Sequence, residues 1–156
     1  MMLNLPTIQR KPSKAPYRKP EAIKELERLA DAEALLKHPG MPHLAPRTFR
    51  DDKANFLTKC VVEYIRLNGG FASRISNQGT YNQKLRRYIP GTARRGLADV
   101  MATFRGLSLH IEVKAGKDRQ SKAQKLIESE VKSSGGLYYI AHTFTEFKTW
   151  FDSLVK

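Results

Sequence analysis

The sequence predicts an α/β domain in which a helix, three strands, a helix, a strand and a closing helix follow one another, and three observations predict it. Residues 107–113 alternate apolar and polar with a period of two, as a strand with one buried face does. The run Leu97–Phe104 precedes it across Arg105-Gly106, a two-residue link short enough for an antiparallel hairpin. Segments with helical apolar spacing lie on both sides and stop at Gly69-Gly70 and Gly135-Gly136.

Composition bounds what such a domain can do. A chain of 156 residues with 40% hydrophobic content fits one domain with its own core plus an extension rather than two full domains. Its 28 Lys and Arg against 15 Asp and Glu leave a net charge of +13, which attracts polyanions: nucleic acid first, an acidic membrane surface as the alternative. No apolar run approaches the roughly 20 residues of a membrane span, and no apolar core of a secretory signal is visible. The single cysteine, Cys60, excludes an internal disulfide and a multi-cysteine zinc site, so a reducing, intracellular (cytoplasmic) setting is expected.

In chain order, residues 1–20 carry Arg10, Lys11, Lys14, Arg18 and Lys19, four prolines and no acid, and are expected to be a mobile basic tail. A helix is expected from Glu21 to Lys37, opened by Pro20, with Ala22, Leu26, Leu29 and Leu36 as its apolar stripe. It would pack on the main domain or on a second copy of itself. The proline-rich HPGMPHLAPRTF stretch reads as a loop, which divides the chain into residues 1–50, tail and accessory helix, and 51–156, the main domain. Asp51 and Asp52 would open a helix running to about Asn68, with Phe56, Leu57, Cys60, Val61, Tyr64 and Leu67 on its apolar face. Glu63 sits at the edge of that face, either snorkelling to solvent or pointing at a site on the sheet.

The first strand is FASRIS, and the stretch from Asn77 to Gly91 has no firm periodicity and reads as a long loop. Arg74, Lys84, Arg86, Arg87, Arg94 and Arg95, interleaved with Tyr81 and Tyr88, are the candidates for contacting phosphates and stacking on bases; a merely solvated charged loop is the alternative. In the hairpin, Leu107, Leu109, Ile111 and Val113 share one face and Ser108, His110, Glu112 and Lys114 the other, and Asp99 falls opposite Glu112. Ser121-Lys122-Ala123-Gln124 fits a capping box before a helix with Ala123, Ile127 and Val131 on one side. LYYIA, Leu137–Ala141, reads as a central strand, and Thr143 and Glu146 form a second capping pattern before the closing helix of Phe147, Trp150, Phe151 and Leu154. His38, His43, His110 and His142 have no metal-ligand spacing, and Cys60 reads as core.

Asp99, Glu112 and Glu63 would suffice for Mg²⁺, which prefers oxygen ligands and keeps several waters. Hydrolysis of a phosphodiester needs such an ion, an activated water and neutralisation of transition-state charge, and Lys114 on the strand face of Glu112 could supply the last or act as base. A salt-bridged strand surface is the alternative meaning of the same spacing.

The order Glu63, Gly96-Leu-Ala-Asp99, Ile-Glu112-Val-Lys114 and Ser121-x-x-Gln124 resembles the PD-(D/E)XK nuclease superfamily, and within it the VRR-NUC branch, the virus-type replication and repair nuclease domain. The resemblance spans about residues 51–155, with Ala98 where the name-giving motif has proline. It implies a restriction-endonuclease-like core, a central mixed sheet flanked by helices, and Mg²⁺- or Mn²⁺-dependent cleavage of DNA. It further implies Asp99, Glu112 and the Val113 carbonyl as metal ligands, Glu63 as accessory acid, Lys114 as the catalytic lysine and Gln124 beside them. A homodimer acting on branched, Holliday-junction-like DNA in repair, and a viral or phage source, are the expectations it adds. The rival reading is a protein that keeps the nuclease fold but only binds nucleic acid, and a third is a basic scaffold that oligomerises through its first helix.

Overall fold

The computed structural model describes residues 16–41, 43–76, 79–89, 91 and 93–155. The tail expected at the N-terminus lies outside the described residues up to position 15, including Arg10, Lys11 and Lys14. The elements are α1 (Glu21–Lys37), α2 (Ala54–Leu67), β1 (Phe71–Arg74), β2 (Thr80–Asn82), β3 (Arg87–Ile89), β4 (Val100–Phe104), β5 (Leu107–Val113), α3 (Lys122–Ser133), β6 (Leu137–Ala141) and α4 (Phe144–Val155).

Arg105 and Gly106 both take positive φ, 47° and 79°, which matches the turn to the right-handed twist of the strands it joins. β4 and β5 therefore pair antiparallel from Phe104↔Leu107 to Val100↔Ile111. One residue further along the same register, Asp99 stands opposite Glu112, as the hairpin centre predicts. β1 adds to β4 antiparallel, and the chain returns through α3 to lay β6 parallel to β5, giving a mixed four-stranded sheet in the order β1-β4-β5-β6. The domain is thus α/β with a mixed central sheet flanked by helices.

The pleat of the hairpin sorts its side chains onto two layers. Val100, Ala102 and Phe104 of β4 and Leu109, Ile111 and Val113 of β5 face a core completed by Leu57, Val61 and Ile65 of α2 and Phe144, Phe147 and Phe151 of α4. On the opposite face Ile127 and Val131 of α3 pack on Ala98 and Tyr138. The α3 start carries both halves of the expected capping box, Ser121 accepting from the Gln124 N–H and the Gln124 side chain accepting from the Ser121 N–H.

Packing departs from the sequence reading in four places. The buried stripe of α1 is Ile23, Leu26, Ala30 and Ala34, while Leu29 and Leu36 are exposed; alanines let the helix approach α2 and α4 closely where leucines would hold it off. Ile23 and Leu26 are fully buried in the main core. At about 1.5–3 kcal/mol each, they supply a sizeable part of the roughly 5–15 kcal/mol net stability of a domain. α2 begins at Ala54 with Lys53 at the N-cap, which has no acceptor to offer, so no side chain caps it; the Asp51 carboxylate instead accepts from the Tyr17 hydroxyl (2.8 Å) and from the Phe144 N–H (3.2 Å) at the head of α4. The apolar face of α2 takes in Ile65 and leaves Phe56 exposed beside Arg50 and Lys53. Finally, the region read as a loop contains β2 and β3, a two-stranded ribbon separate from the main sheet.

Candidate active site

The open ends of β4 and β5 carry a connected polar cluster. The Ile75 N–H donates to the Asp99 carbonyl (2.8 Å), fixing the approach to β4, and Asp99 Oδ2 accepts from the Val113 N–H (2.9 Å). On β5, Glu112 Oε1 accepts from Lys114 Nζ at 3.0 Å and from Gln124 Nε2. Lys114 Nζ also reaches Gln124 Oε1 at 3.1 Å and Asp118 Oδ2 at 3.4 Å. Its backbone is held by β6, the N–H donating to the Ala141 carbonyl (2.9 Å).

Gln124 is the joint of this cluster. Its carbonyl oxygen accepts from both the Ser121 N–H (2.8 Å) and Lys114, and its amide nitrogen donates to Glu112. The capping box that starts α3 therefore also aims the Gln124 amide at the acid and the ammonium. Gly96 brings the Asp99 segment against the same helix: it lies at φ +89°, and a Cβ there would stand 2.6 Å from the Ala123 carbonyl carbon. No residue with a side chain fits that approach.

Lys114 and Glu112 were expected on an open strand face, yet α3 and the turn before it cover them, leaving Glu112 2% and Lys114 6% exposed. Burial pushes the Glu112 carboxyl up, against the pull of the Lys114 hydrogen bond, and the charge of Asp99 adds to the rise. For Lys114, burial disfavours the charged form, but the Glu112 hydrogen bond and charge together with Asp118 outweigh it and raise the pKa. The neighbouring carboxylates thus favour the ammonium form of Lys114.

Glu112 Oε2 is buried without a hydrogen-bond partner. A buried, unpaired carboxylate oxygen is costly, and a bound cation or its water would satisfy it. The N–H and C=O of one strand residue point to the same edge, so the Val113 carbonyl leaves β5 on the side of Asp99, to which its N–H donates. Asp99, Glu112 and the Val113 carbonyl are oxygen donors of the kind Mg²⁺ takes, so the residues present fit such an ion. Among the described residues no group of three or more His, Cys, Asp and Glu is placed to hold a metal ion, so the fit rests on two carboxylates and one backbone carbonyl.

Glu63 is the residue that does not join. It lines grooves on the outer side of α2 with Lys59 and Arg66, and with Ala34, His38 and Arg47 of the α1 region. Its place at the edge of the apolar stripe is compatible with either side of the helix, and the packing of α1 draws that edge away from the sheet. Of the basic candidates, Arg94 is held by both carboxylate oxygens of Glu130 on α3, and Arg74 donates to Asn55 (2.7 Å). Lys84, Arg86, Arg87 and Arg95 are exposed.

Two residues beyond the expected set belong to the cluster's surroundings. Asp118 is the third partner of Lys114. Tyr138 is buried with its hydroxyl unpartnered, its pKa pushed up to about 12 by burial and then by the charge of Glu112. The parity of β6 held the signal for Tyr138: in a parallel pairing where His110 faces Tyr138 and Glu112 faces Ile140, Tyr138 lies on the acidic side of the sheet. His110 is half-buried, lies 3.3 Å from the Ser108 hydroxyl through Nε2, and has its pKa lowered by burial. Cys60 is core, its thiol pushed up to about 12 chiefly by burial.

Compared with family models, with curated proteins and with solved structures, the chain matches none. None of the described helices is long and apolar enough to cross a membrane.

Proposed function

We propose that the protein is a Mg²⁺- or Mn²⁺-dependent endonuclease that hydrolyses phosphodiester bonds in DNA, a member of the PD-(D/E)XK superfamily of the VRR-NUC type. The observation that carries the reading is Asp99 opposite Glu112 at the strand ends, with the Lys114 ammonium 3.0 Å from the Glu112 carboxylate. An isolated surface ion pair has no use for a second carboxylate across the ladder, nor for a buried orphan oxygen. The net charge of +13 supplies attraction to a polyanion.

Asp99, Glu112 and the Val113 carbonyl would hold the ion, which would supply a polarised phosphoryl oxygen and an acidified water. Lys114 places a fixed positive charge beside the reacting phosphate, where negative charge grows in the transition state. Gln124 keeps both Lys114 and Glu112 in place, so neither must reorganise during the reaction. Glu63 is left out of this account. Branched DNA as substrate, a homodimer as the acting form and a role in DNA repair are carried by the family resemblance and belong to the same proposal.

Purified protein incubated with plasmid, forked and four-way-junction DNA should cut only when Mg²⁺ or Mn²⁺ is added. Asp99→Ala should reduce cutting by about 100-fold or more, on the scale of losing a charge-stabilising group, while DNA binding in EDTA is retained. Salt-sensitive binding by the wild-type protein with no cutting of any substrate would sink the enzyme reading and leave the binding protein.

A further inference from the structure

Between Arg74 and Asp99 the chain leaves the edge of the sheet and returns to it with no acidic residue and five cations. Residues 80–89 of this excursion form the β2–β3 ribbon. Its strands pair Thr80↔Ile89, Tyr81↔Tyr88 and Asn82↔Arg87 and join no other strand. The turn is held by the Asn82 side chain, which accepts from the Leu85 N–H (3.0 Å), with Arg86 at φ 47°. At the base, Gly79 lies so close to β3 that a Cβ would stand 2.2 Å from the Ile89 carbonyl oxygen and 2.6 Å from the Tyr88 ring. The Tyr88 ring thus lies over the Gly79 backbone, and Tyr81, its cross-strand partner, is exposed on the same face of the ribbon. Lys84, Arg86 and Arg87 crowd the tip and the strand after it, and among the described residues none of them forms an ion pair.

Residues 79–83 span about 14 Å at about 3.4 Å per residue. The major groove of B-DNA is about 12 Å wide and about 8.5 Å deep and admits a two-stranded ribbon. β1 leaves the sheet beside Asp99, whose carbonyl the Ile75 N–H holds, so the chain sets out toward the ribbon from the strand end that carries the site. We infer that the β2–β3 ribbon inserts into the major groove of duplex DNA next to the phosphate presented to Asp99 and Glu112, with Lys84, Arg86 and Arg87 on the groove walls. This rests on the nuclease reading for the neighbouring phosphate, but the groove contact stands or falls by itself. It also selects the polymer: the major groove of A-form RNA is deep and narrow, so the ribbon discriminates for DNA.

The test is binding of the full chain in EDTA, so that nothing is cut, to duplex DNA, duplex RNA, single-stranded DNA and vesicles containing phosphatidylserine. Replacing Lys84, Arg86 and Arg87 together by Gln should weaken duplex DNA binding at least tenfold and reduce its log–log salt slope by about 2 to 3, one counterion's worth per lost contact. The melting temperature should hold, since the ribbon lies outside both cores. Gly79→Val, which keeps every cation but opens the base, should give a similar loss of affinity. Methyl green, which occupies the major groove, should compete with the wild-type protein, and netropsin, which occupies the minor groove, should not. Unchanged duplex affinity in both variants, competition by netropsin alone, or an equal loss on RNA, single strands or vesicles would overturn the inference. Absence of metal-dependent cutting, with these binding results intact, would instead remove only the nuclease reading.

Discussion

Lys114→Met isolates the electrostatics of the site from its packing. Methionine keeps most of the length and apolar stem of lysine, so no large cavity adds to the effect. What is lost is the ammonium 3.0 Å from Glu112, in a pair whose side chains are 8% and 2% exposed. Breaking a buried ion pair by removing one partner costs about 3–5 kcal/mol. The lower end applies here, because Gln124 still donates to Glu112 and Asp118 can turn to solvent. The sign of the pH dependence follows from Glu112. Its pKa is raised in the folded protein, so its ionisation opposes folding in full above the folded value, and the penalty shrinks as pH falls from the folded value to the unfolded one, below which it is gone. Removing Lys114 raises that folded value further, so the variant should lose least at pH 5 and most at pH 7.5. Urea unfolding of wild type, Lys114→Met, Glu112→Gln and the double variant in EDTA at both pH values reads this directly. The double variant should recover most of what Lys114→Met loses at pH 7.5. A loss under about 1 kcal/mol, smaller than the range for a broken buried pair, or a loss equal at both pH values, would refute the reasoning.

The other consequences are structural. Gly96→Ala must place a methyl group 2.6 Å from the α3 backbone at positive φ, so a destabilisation of about 1–3 kcal/mol is expected from overpacking and strain, measured by urea midpoint, with a fall in the proposed DNA cutting as Asp99 is displaced. Leu26→Ala removes a fully buried side chain and should cost about 2–5 kcal/mol. A single unfolding transition should remain, because α1 shares the core of the sheet; a separate early transition would restore an independent accessory helix.

Local pattern carried a large share of the site. A two-residue link and a period of two determine a hairpin register completely, because a one-residue slip would turn every side chain to the other face; Asp99 opposite Glu112 follows from those facts alone. The Ser121 and Gln124 capping box is equally local, since it closes within one turn of backbone. The ribbon was hidden because its strands are three residues each and exposed, so no burial imposes an alternation on their sequence.

By itself, the sequence thus determined which side chains share a face and which cap begins α3. The tertiary structure decided what lies against those faces. Glu63 belongs to the groove beside α1 because a helix edge can turn either way until its neighbours are placed. Arg94 pairs with Glu130 across 36 positions of chain, a meeting that no spacing encodes. Lys114 and Glu112 are buried because α3 closes over a face that their polarity marks as open. That closure makes the ammonium and the carboxylate interact in a poorly screened environment, where a charge at the strand end carries more weight than it would in water.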